Sequence, residues 1–499
     1  MTWAELARRM VAAGLRVVDA SDGGGVAITG ITCDSRAVEP GQVFVAVGGR
    51  RTDGNLFARQ AVDRGAAVIV SELAAAPGQG ARWVTVDDAR QALSLLADAF
   101  YGHPSAEMQI VGITGTNGKT TTAYLMASIF DAAGLRSGLI GTVGYRVGDE
   151  VHEAARTTPE APDLQRLLRE MVTAGCRACA MEVSSHGLAL GRVDGMSFAA
   201  AVFTNLTRDH LDFHVDMESY FRAKRRLFDM LPDGAPGVIN VDDPRGVSLV
   251  AAVSRPVTYA IHRPADVTTG PLSFSIQGLV LDVRTPCGPV HVKTALVGRP
   301  NVYNVLAAVA TAIALKIPRG AIEQGIESLK GVPGRFQIVS APGDDITVVV
   351  DYAHTDDALR LVLETARPLT PGRLITVFGC GGDRDRSKRP LMGAVAGRLS
   401  QLVILTSDNP RGEDPVRIIE DIQRGSADLR RENPSAWLTL VDRREAIVKA
   451  VELARPGDLV MIAGKGHEKY QVIGDAVLPF DDVMVAREAL ARRGRSGAA

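Results

Sequence analysis

The segment VGITGTNGKTTTAYLMASIF, residues 111–130, is the most specific stretch of this chain. Its first residues are an apolar run that predicts a buried strand ending at Ile113. A glycine-rich turn follows from Thr114 to Thr120, and the remaining residues have the spacing of an amphipathic helix. This order of strand, turn and helix is typical of a loop that binds nucleotide phosphates.

The residue types in the turn fit that chemistry. Gly115 and Gly118 allow backbone N–H groups to face a phosphate, and the helix N-terminus adds the positive end of its dipole. Lys119 can bridge the outer phosphates, and Thr120 can ligate Mg²⁺. Ile113 stands where the strict P-loop pattern has its first glycine, and the loop alone does not distinguish ATP, the nucleotide we expect, from others. The expected nucleotide contacts are Thr114, Gly115, Thr116, Asn117, Gly118, Lys119, Thr120 and Thr121.

The composition excludes several classes of function. The chain has 499 residues, of which 46% are hydrophobic and 23% charged, as in soluble globular proteins. A net charge of −1 without a basic stripe argues against nucleic acid or an anionic membrane as the main partner. Neither a signal peptide nor a membrane span is indicated. Five scattered cysteines fit a reducing cytoplasm, and we interpret the CxxC of Cys176 and Cys179 as buried thiols rather than a redox or metal pair.

Apolar strand segments recur along the chain, and most alternate with helical patterns. This alternation predicts an α/β fold with parallel sheets and helical crossovers. Turn-rich joints at YGHPSAE and GVPGRF divide the chain into three blocks. We predict a small N-terminal α/β domain over residues 1–107, a central domain with a mostly parallel sheet over 108–335, and a Rossmann-like C-terminal domain over 336–499.

Several motifs, taken in order, resemble those of the Mur ligases of peptidoglycan synthesis. The resemblance covers nearly the whole chain, and the joint order of the motifs is more specific than any one of them beyond the phosphate loop. The motifs are DSR (34–36), GTNGKTT (115–121), TTP (157–159), MEVSSHGL (181–188), NLTRDHLDFH (205–214), YFRAKRRLF (220–228), GRPNVYNVLAA (298–308), DYAHTDDAL (351–359) and GCGGDRDRSKRPLM (379–392).

The resemblance implies a cytoplasmic ligase that adds the third amino acid to UDP-N-acetylmuramoyl-L-alanyl-D-glutamate. It also implies that the first domain binds the UDP-sugar, the central domain ATP, and the third the incoming amino acid. The chemistry needs an activated carboxyl group: the γ-phosphoryl of ATP gives an acyl phosphate, the amine attacks it, and phosphate leaves. Because three anionic groups meet, metal ions and cationic groups are required, and we expect two Mg²⁺ ions. We also expect the protein to be a monomer.

Two residues are candidates to hold magnesium together with Thr120. Glu182 ends an apolar strand, at the edge where α/β sheets bind ligands. The alternative for Glu182 is a surface ion pair. By resemblance, His210 is the family's second magnesium ligand, and the alternative is a structural histidine that caps a turn.

Lys224 is a third candidate, because Phe221, Lys224 and Phe228 fall on one helical face. A lysine on an apolar face is desolvated, so its pKa falls and the neutral amine can add CO₂. The resemblance implies that Lys224 is carbamylated and that the new carboxylate binds magnesium. The alternative is a lysine that extends its charged end to solvent.

The resemblance also implies contacts with both substrates, ATP and the UDP-muramoyl-dipeptide. One motif that supplies such contacts departs from the family: DYAHTPD reads DYAHTDD here, so Asp356 replaces a proline and a fixed φ is lost. We expect only a small local change near His354. The ATP contacts beyond the loop are Asn301, Asn304, Asp351 and His354, and the UDP-muramoyl-dipeptide contacts are Cys33, Ser35, Arg50, Arg51, Thr52, Thr157, Thr158, Ser184, Leu190 and Arg192.

The C-terminal block offers charged strand ends for the incoming amino acid. Arg384 and Arg411 can each take a carboxylate, and Glu468 can take an ammonium group. Asp408 and Asn409 can bind an amine. A ligand with two amino-acid ends would use all of these residues. Meso-diaminopimelate is such a molecule, whereas lysine lacks the distal carboxylate. The predicted set is completed by Pro410 and Gly464.

The sequence DNPR, residues 408–411, accompanies the diaminopimelate-adding members of the family. An alternative for Asp408 and Asn409 is that they cap a helix starting at Pro410. Three functional alternatives stay open: a lysine-adding ligase, a ligase similar to folylpolyglutamate synthetase, and a nucleotide-gated binding protein without turnover. The first block with DSR argues against the second, and the set Lys119, Glu182, His210 and Lys224 against the third.

Overall fold

The computed structural model describes residues 1–19, 25–49, 52–74 and 81–496. Three separate sheets with helices between their strands confirm the predicted three-domain α/β class with mostly parallel sheets. The bounds of the domains stay predictions. Within the described residues, no helix combines the length and the apolar character needed to cross a membrane.

The first sheet has five strands and is parallel except at one edge, where Val17–Asp19 pairs antiparallel with its neighbour. Its central strands are continuous apolar runs because helices cover the sheet. In spatial order the strands are Val17–Asp19, Arg82–Val86, Val68–Ser71, Val43–Val45 and Ile31–Thr32, and the helices are Trp3–Ala12, Ala58–Asp63 and Ala89–Phe100, with 3₁₀ turns at Ser35–Ala37 and Gly54–Phe57.

The central sheet has twelve strands, with a parallel middle and antiparallel wings. The phosphate-loop strand Gln109–Thr114 lies in the middle, between Ala178–Glu182 and Ala200–Phe203. The strands in spatial order are Ser273–Ser275, Gly278–Arg284, Val267–Thr269, Pro256–Ala260, Gly237–Asn240, Ala200–Phe203, Gln109–Thr114, Ala178–Glu182, Ser137–Ile140, Tyr145–Val147 and Glu150–His152, and Val290–Thr294 pairs with Gly278–Arg284.

Helices cover both faces of the central sheet and bury two apolar clusters. The helix Arg299–Ala314 is almost entirely buried, which fits its long run of apolar residues. The others are Lys119–Ala132, Ala161–Thr173, Ser185–Ala189, Met217–Asp229, Pro244–Val250 and Arg319–Ser328, preceded by a 3₁₀ turn at Pro104–Glu107.

The third sheet has six strands, parallel except for the short first one. Apolar clusters fill both of its faces. The strands in spatial order are Gln337–Ile338, Thr347–Asp351, Leu459–Ala463, Leu374–Phe378, Leu402–Leu405 and Trp437–Thr439; a separate hairpin pairs Tyr470–Ile473 with Ala476–Pro479. The helices are Asp356–Ala366, Lys388–Leu399, Pro415–Arg424, Ala427–Glu432, Arg443–Leu453 and Asp482–Ser496, with 3₁₀ turns at Arg367–Leu369 and Pro434–Ala436.

Candidate active site

The phosphate loop, residues 115–118, requires glycine at two positions. Gly115 has φ 145°, and a Cβ there would lie 1.8 Å from the hydroxyl oxygen of Thr204. Gly118 has φ 89°, and a Cβ there would lie 2.4 Å from Oδ1 of Asn304. A side chain at either position would displace the loop from the structure that supports it.

The charged and hydroxyl groups at the start of the following helix lie together. Lys119 Nζ donates to the carbonyl oxygens of Gly115 and Thr116 at 2.9 and 2.8 Å. Thr120 Oγ1 donates to Oε2 of Glu182 at 3.0 Å. Burial lowers the pKa of Lys119, and the carboxylate of Glu182 partly opposes this shift. The geometry therefore brings together the lysine, the hydroxyl and the carboxylate that the sequence singled out.

Glu182 is buried and held from a second side by Thr142. The backbone N–H of Thr142 donates to Oε1 at 2.8 Å, and its hydroxyl to Oε2 at 3.1 Å. The carboxylate and the Thr120 hydroxyl are oxygen ligands of the kind that Mg²⁺ prefers. Among the described residues no three His, Cys, Asp or Glu side chains are placed to hold a metal. These residues fit a Mg²⁺ ion that takes its remaining ligands from water and phosphate.

Lys224 is only 1% exposed, so the burial predicted from its helical spacing is confirmed. Its helix, Met217–Asp229, begins after Asp216, whose side chain accepts from the Ser219 N–H. Lys224 Nζ donates to the Gly115 carbonyl at 2.6 Å and lies 4.4 Å from the ring centroid of Tyr220. Burial, and then the charge of Lys119, lower the pKa of Lys224 well below its ordinary value.

His210 has a left-handed backbone, with φ 54°, and lies in a cluster of rings. Its ring packs edge-to-face on His186, with centroids 4.7 Å apart. Burial lowers the pKa of His210 to about 4, so the imidazole is neutral near pH 7 and has a lone pair for a metal. The positive charges of Lys119 and Lys224 add to this lowering of the His210 pKa.

Two asparagines and a strand end complete the predicted ATP side of the site. Asn304 Nδ2 donates to Asn301 Oδ1 at 2.8 Å, which fixes both amides. Asp351 accepts from the N–H groups of Phe336 and Ala353 at 2.6 and 2.8 Å. Burial raises the pKa of Asp351 and lowers that of His354 to about 4.

Arg335 was not among the predicted site residues, although its motif GVPGRF was noted as a joint. Its Nη2 donates to Thr120 Oγ1 at 3.0 Å, and its guanidinium lies 4.7 Å from the ring centroid of Tyr352. Arg335 therefore adds a second cation beside Lys119. The contact unites residues 215 positions apart, which a local pattern cannot reveal.

The predicted dipeptide contacts of the central domain form one connected group. Thr157 Oγ1 lies 3.0 Å from Thr142 Oγ1, next to Glu182. Thr158 lies 3.0 Å from the hydroxyl of Ser184 and accepts from Arg192 Nη1 at 3.0 Å through its carbonyl. One contact joins this group to the first domain: Arg90, which also donates to the Gly48 carbonyl at 3.1 Å, donates to the Leu190 carbonyl at 3.4 Å. Within the central domain, Arg192 pairs with Glu160 at 2.8 Å.

The first-domain candidates are only partly described. Ser35 is buried, and its hydroxyl donates to Gln60 Oε1 at 2.8 Å. Burial, and then the charge of Glu160, raise the pKa of the Cys33 thiol to about 12. The carbonyl of Thr52 accepts from the Gly49 N–H at 3.1 Å. Arg50 and Arg51 lie outside the described residues.

The candidates for binding the amino acid lie in the loops that follow three neighbouring strands of the third sheet, Leu459–Ala463, Leu374–Phe378 and Leu402–Leu405. A Cβ on Gly381 would lie 3.0 Å from Arg411 Nη1 and 3.8 Å from Arg384 Cγ, so both side chains pass beside Gly381. Gly464 has φ 116°, and a Cβ there would lie 2.5 Å from Asp408 Oδ2. Asn409 Nδ2 donates to Glu468 Oε2 at 2.9 Å.

The alternative of a helix starting at Pro410 is wrong. The helix begins at Pro415, and Asp414 caps it by accepting from the Val416 N–H. Arg411 instead has φ 51°, and its N–H and carbonyl bond to the hairpin at Val472 and Gly474. The hairpin thus fixes the backbone of the loop, while Arg411 Nη1 donates to the Gly382 carbonyl at 2.8 Å.

Asn409, which is predicted to bind an amine of the ligand, already has protein partners on its amide oxygen. Its Oδ1 accepts from Lys465 Nζ at 3.0 Å and from the Val472 N–H at 2.9 Å, so both lone pairs are used. Lys465 is not among the predicted site residues. It lies in the stretch AGKGHE, residues 463–468, which contains the predicted residues Gly464 and Glu468, and this proximity is the signal that could have indicated it.

Comparison with known proteins identifies the family. The chain matches family models described as the Mur ligase family catalytic domain over residues 27–101, the Mur ligase middle domain over 113–312, and the Mur ligase glutamate ligase domain over 334–466. It is similar to the UDP-N-acetylmuramoyl-L-alanyl-D-glutamate–2,6-diaminopimelate ligases of Solibacter usitatus, at 48% identity over 93% of both chains, and of Geobacter metallireducens, at 47% over 96% of this chain and 98% of the relative.

A solved structure of a ligase of the same name matches with a TM-score of 0.69 and 34% identity, covering 99% of both chains. The models together span most of the sequence, and the relatives align over nearly their full length. The chain belongs to the Mur ligase family.

Proposed function

We propose that this protein is an ATP-dependent ligase that joins meso-2,6-diaminopimelate to UDP-N-acetylmuramoyl-L-alanyl-D-glutamate. Relatives at 44–48% identity carry this name, and they align over more than nine tenths of the chain in each of the first five. The observation that carries the proposal is that Lys119, Thr120, Glu182 and Arg335 lie together at the phosphate loop. Thr120 donates a hydrogen bond to Glu182 and accepts one from Arg335, both at 3.0 Å.

The reaction follows from the groups present. The free carboxylate of the dipeptide attacks the γ-phosphorus of ATP, and the bond to the β-γ bridging oxygen breaks to give an acyl phosphate and ADP. Lys119 and Arg335 offset the negative charge of the outer phosphates as it shifts toward ADP. The amine of diaminopimelate then attacks the acyl carbon, loses a proton, and expels phosphate to leave the amide.

Thr120, Glu182, His210 and a carbamylated Lys224 would hold two Mg²⁺ ions. When bound, the ions would neutralise phosphate charge and polarise the transferred group. The carbamate on Lys224 is part of the proposal: its amine contacts a carbonyl and an aromatic ring, and burial favours its neutral, nucleophilic form. A carbamate would turn a cation that repels Mg²⁺ into an anion that binds it.

The substrate sites are proposed as the sequence assigned them. The first domain and the group around Thr158 and Arg192 would bind the UDP-muramoyl-dipeptide. The phosphate loop would bind ATP together with Asn301, Asn304, Asp351 and His354. The residues that would surround diaminopimelate are Arg384, Asp408, Asn409, Pro410, Arg411, Gly464 and Glu468. We also propose the domain bounds 1–107, 108–335 and 336–499, a monomeric protein and a cytoplasmic location.

A phosphate-release assay tests the function. Purified protein is given ATP, Mg²⁺ and the UDP-dipeptide, with the meso and LL isomers of diaminopimelate and with L-lysine in parallel. We expect turnover with meso-diaminopimelate, and a kcat/KM for lysine lower by as much as about 10⁴-fold because Arg411 would lose its partner. Comparable use of lysine would identify the lysine-adding activity instead, and background phosphate release with every amine would refute a ligase.

A further inference from the structure

Lys465 is a fully buried ammonium group in the third domain, with 0% exposure. It follows the strand Leu459–Ala463, whose end supplies Gly464 to the proposed amino-acid site. Its Nζ donates to Asn409 Oδ1 and to Glu468 Oε2, both at 3.0 Å. It also lies 5.6 Å from the ring centroid of Tyr470, within the range of a cation–π contact.

The two partners of Lys465 also bind each other. Asn409 Nδ2 donates to Glu468 Oε2 at 2.9 Å, which closes a triangle of three side chains. The Val472 N–H donates to Asn409 Oδ1 at 2.9 Å, so the amide oxygen must face Lys465 and Val472 and cannot exchange places with the nitrogen. Each of the three side chains is therefore fixed by the other two.

The charges of this triangle are coupled. A buried ammonium group requires a hydrogen-bonded counter-charge, and Glu468 provides it. In the part of the chain that the structure describes, the hydrogen bonds from Lys465 and Asn409 both end on Oε2 of Glu468. The other oxygen, Oε1, is the one left for a ligand, and the side chain of Glu468 is 18% exposed.

We infer that Lys465 is a positioning residue for the amino-acid substrate: it anchors Oε2 of Glu468 and the amide of Asn409 so that Oε1 of Glu468 meets the ammonium group of the incoming diamino acid. This inference rests on the proposed function. It assigns to Lys465 a role through Glu468 rather than a contact with substrate. Without the anchor, Glu468 would swing among rotamers and the ammonium group would lose a fixed partner.

The first test is Lys465→Met, which keeps the length of the side chain and removes its charge. We expect the KM for meso-diaminopimelate to rise on the order of tenfold or more, in line with the loss of a hydrogen bond to a charged group. The KM for ATP should stay within about twofold, because Lys465 lies on the amino-acid side. The matched control is Lys449→Met in the same domain, where the lysine is 46% exposed and pairs with Glu452 at 3.4 Å; it should leave both KM values unchanged.

A second comparison separates positioning from a merely structural role. Glu468→Gln is compared with the double variant Lys465→Met, Glu468→Gln, in which both members of the pair are neutral, so the double variant has no uncompensated charge at this site even if Lys465→Met alone does not fold. We expect the double variant to have the same KM for diaminopimelate as Glu468→Gln within about threefold, because Lys465 acts through Glu468.

The outcomes are distinct. A further tenfold rise of KM in the double variant would overturn the inference, as would a Lys465→Met protein that folds with an unchanged KM for diaminopimelate. Equal rises in the KM for ATP and for diaminopimelate would also overturn it. Absence of turnover by the unaltered protein with diaminopimelate would refute the proposed function itself, before any variant is compared.

Discussion

Two ion pairs join the helices Arg443–Leu453 and Asp482–Ser496, and they differ in burial. Arg443 and Asp482 are both 0% exposed and form two hydrogen bonds, at 2.8 and 2.7 Å. Arg444 and Glu488 are 53% and 46% exposed and are joined at 2.6 Å. The same two helices thus offer a buried pair and a surface pair for a matched comparison.

Asp482→Asn should destabilise the third domain by about 3–5 kcal/mol. Asparagine keeps the shape of aspartate, but it leaves the guanidinium of Arg443 buried without a counter-charge, and removal of one partner of a buried pair costs about this much. For a domain of roughly this size, 1 kcal/mol shifts the Tm by about 2–4 °C, so we expect the unfolding transition of this domain to fall by about 6–20 °C. Glu488→Gln should cost less than about 1 kcal/mol, because solvent screens the exposed pair.

The buried pair also reaches the amino-acid site. Arg443 donates to the carbonyls of Ala463 and Ser407 at 3.1 and 3.5 Å, directly before Gly464 and Asp408. Asp482→Asn should therefore raise the KM for diaminopimelate more than the KM for ATP. Differential scanning calorimetry and urea unfolding of both variants measure the stabilities. A loss no larger for Asp482→Asn than for Glu488→Gln would refute the reasoning from burial.

Three further predictions concern single side chains. Lys224→Ala should abolish ligation, with partial rescue by short carboxylic acids in a phosphate-release assay; near-normal activity without them would contradict the carbamate. Arg411→Ala should raise the KM for diaminopimelate on the order of tenfold or more and leave that for ATP unchanged; equal rises would contradict its role. Arg389 lowers the pKa of Glu413 from 4.5 to about 2, so the stability from this pair is present above about pH 4.5 and is lost as the pH falls toward 2. In urea unfolding, Glu413→Gln should lose less of its free energy of unfolding than the unaltered protein over that pH interval. An identical acid profile of the two proteins would exclude the pair as the source of the loss.

Much of the fold could be predicted because buried parallel strands are continuous apolar runs. Leu459–Ala463 and Leu402–Leu405, for example, are buried along their whole length, and each is an uninterrupted run of apolar residues. The hairpin strand Ala476–Pro479 is exposed at every residue although its letters, AVLP, are all apolar, so its sequence alone would wrongly indicate a buried strand. The antiparallel wing strand Gly278–Arg284 alternates buried and exposed residues, a weaker pattern that was not singled out.

The residues of the candidate site also differ in how far they could be predicted from the sequence. The phosphate loop is a local device, and its glycines, lysine and threonine are visible within a few residues. Arg335 reaches Thr120 across 215 positions and Lys465 reaches Asn409 across 56, so their roles depend on the packing of separate elements. The partners of Asn409 are also distant in sequence, because its amide oxygen accepts from Lys465 and from the Val472 N–H; its contact with the ligand stays a prediction.

Asp356 shows why a departure from the family pattern can leave the fold intact. It is the first residue of the helix Asp356–Ala366, where the backbone N–H has no partner within the helix, so proline and other residues are both accommodated. Thr355 caps the helix by accepting from the Ala358 N–H, and an aspartate in the first turn interacts favourably with the helix dipole. The carboxylate of Asp356 lies 3.5 Å from the guanidinium of Arg208, two residues before His210. The chain has therefore exchanged a fixed φ for a charge contact between the third domain and the loop that carries a proposed magnesium ligand.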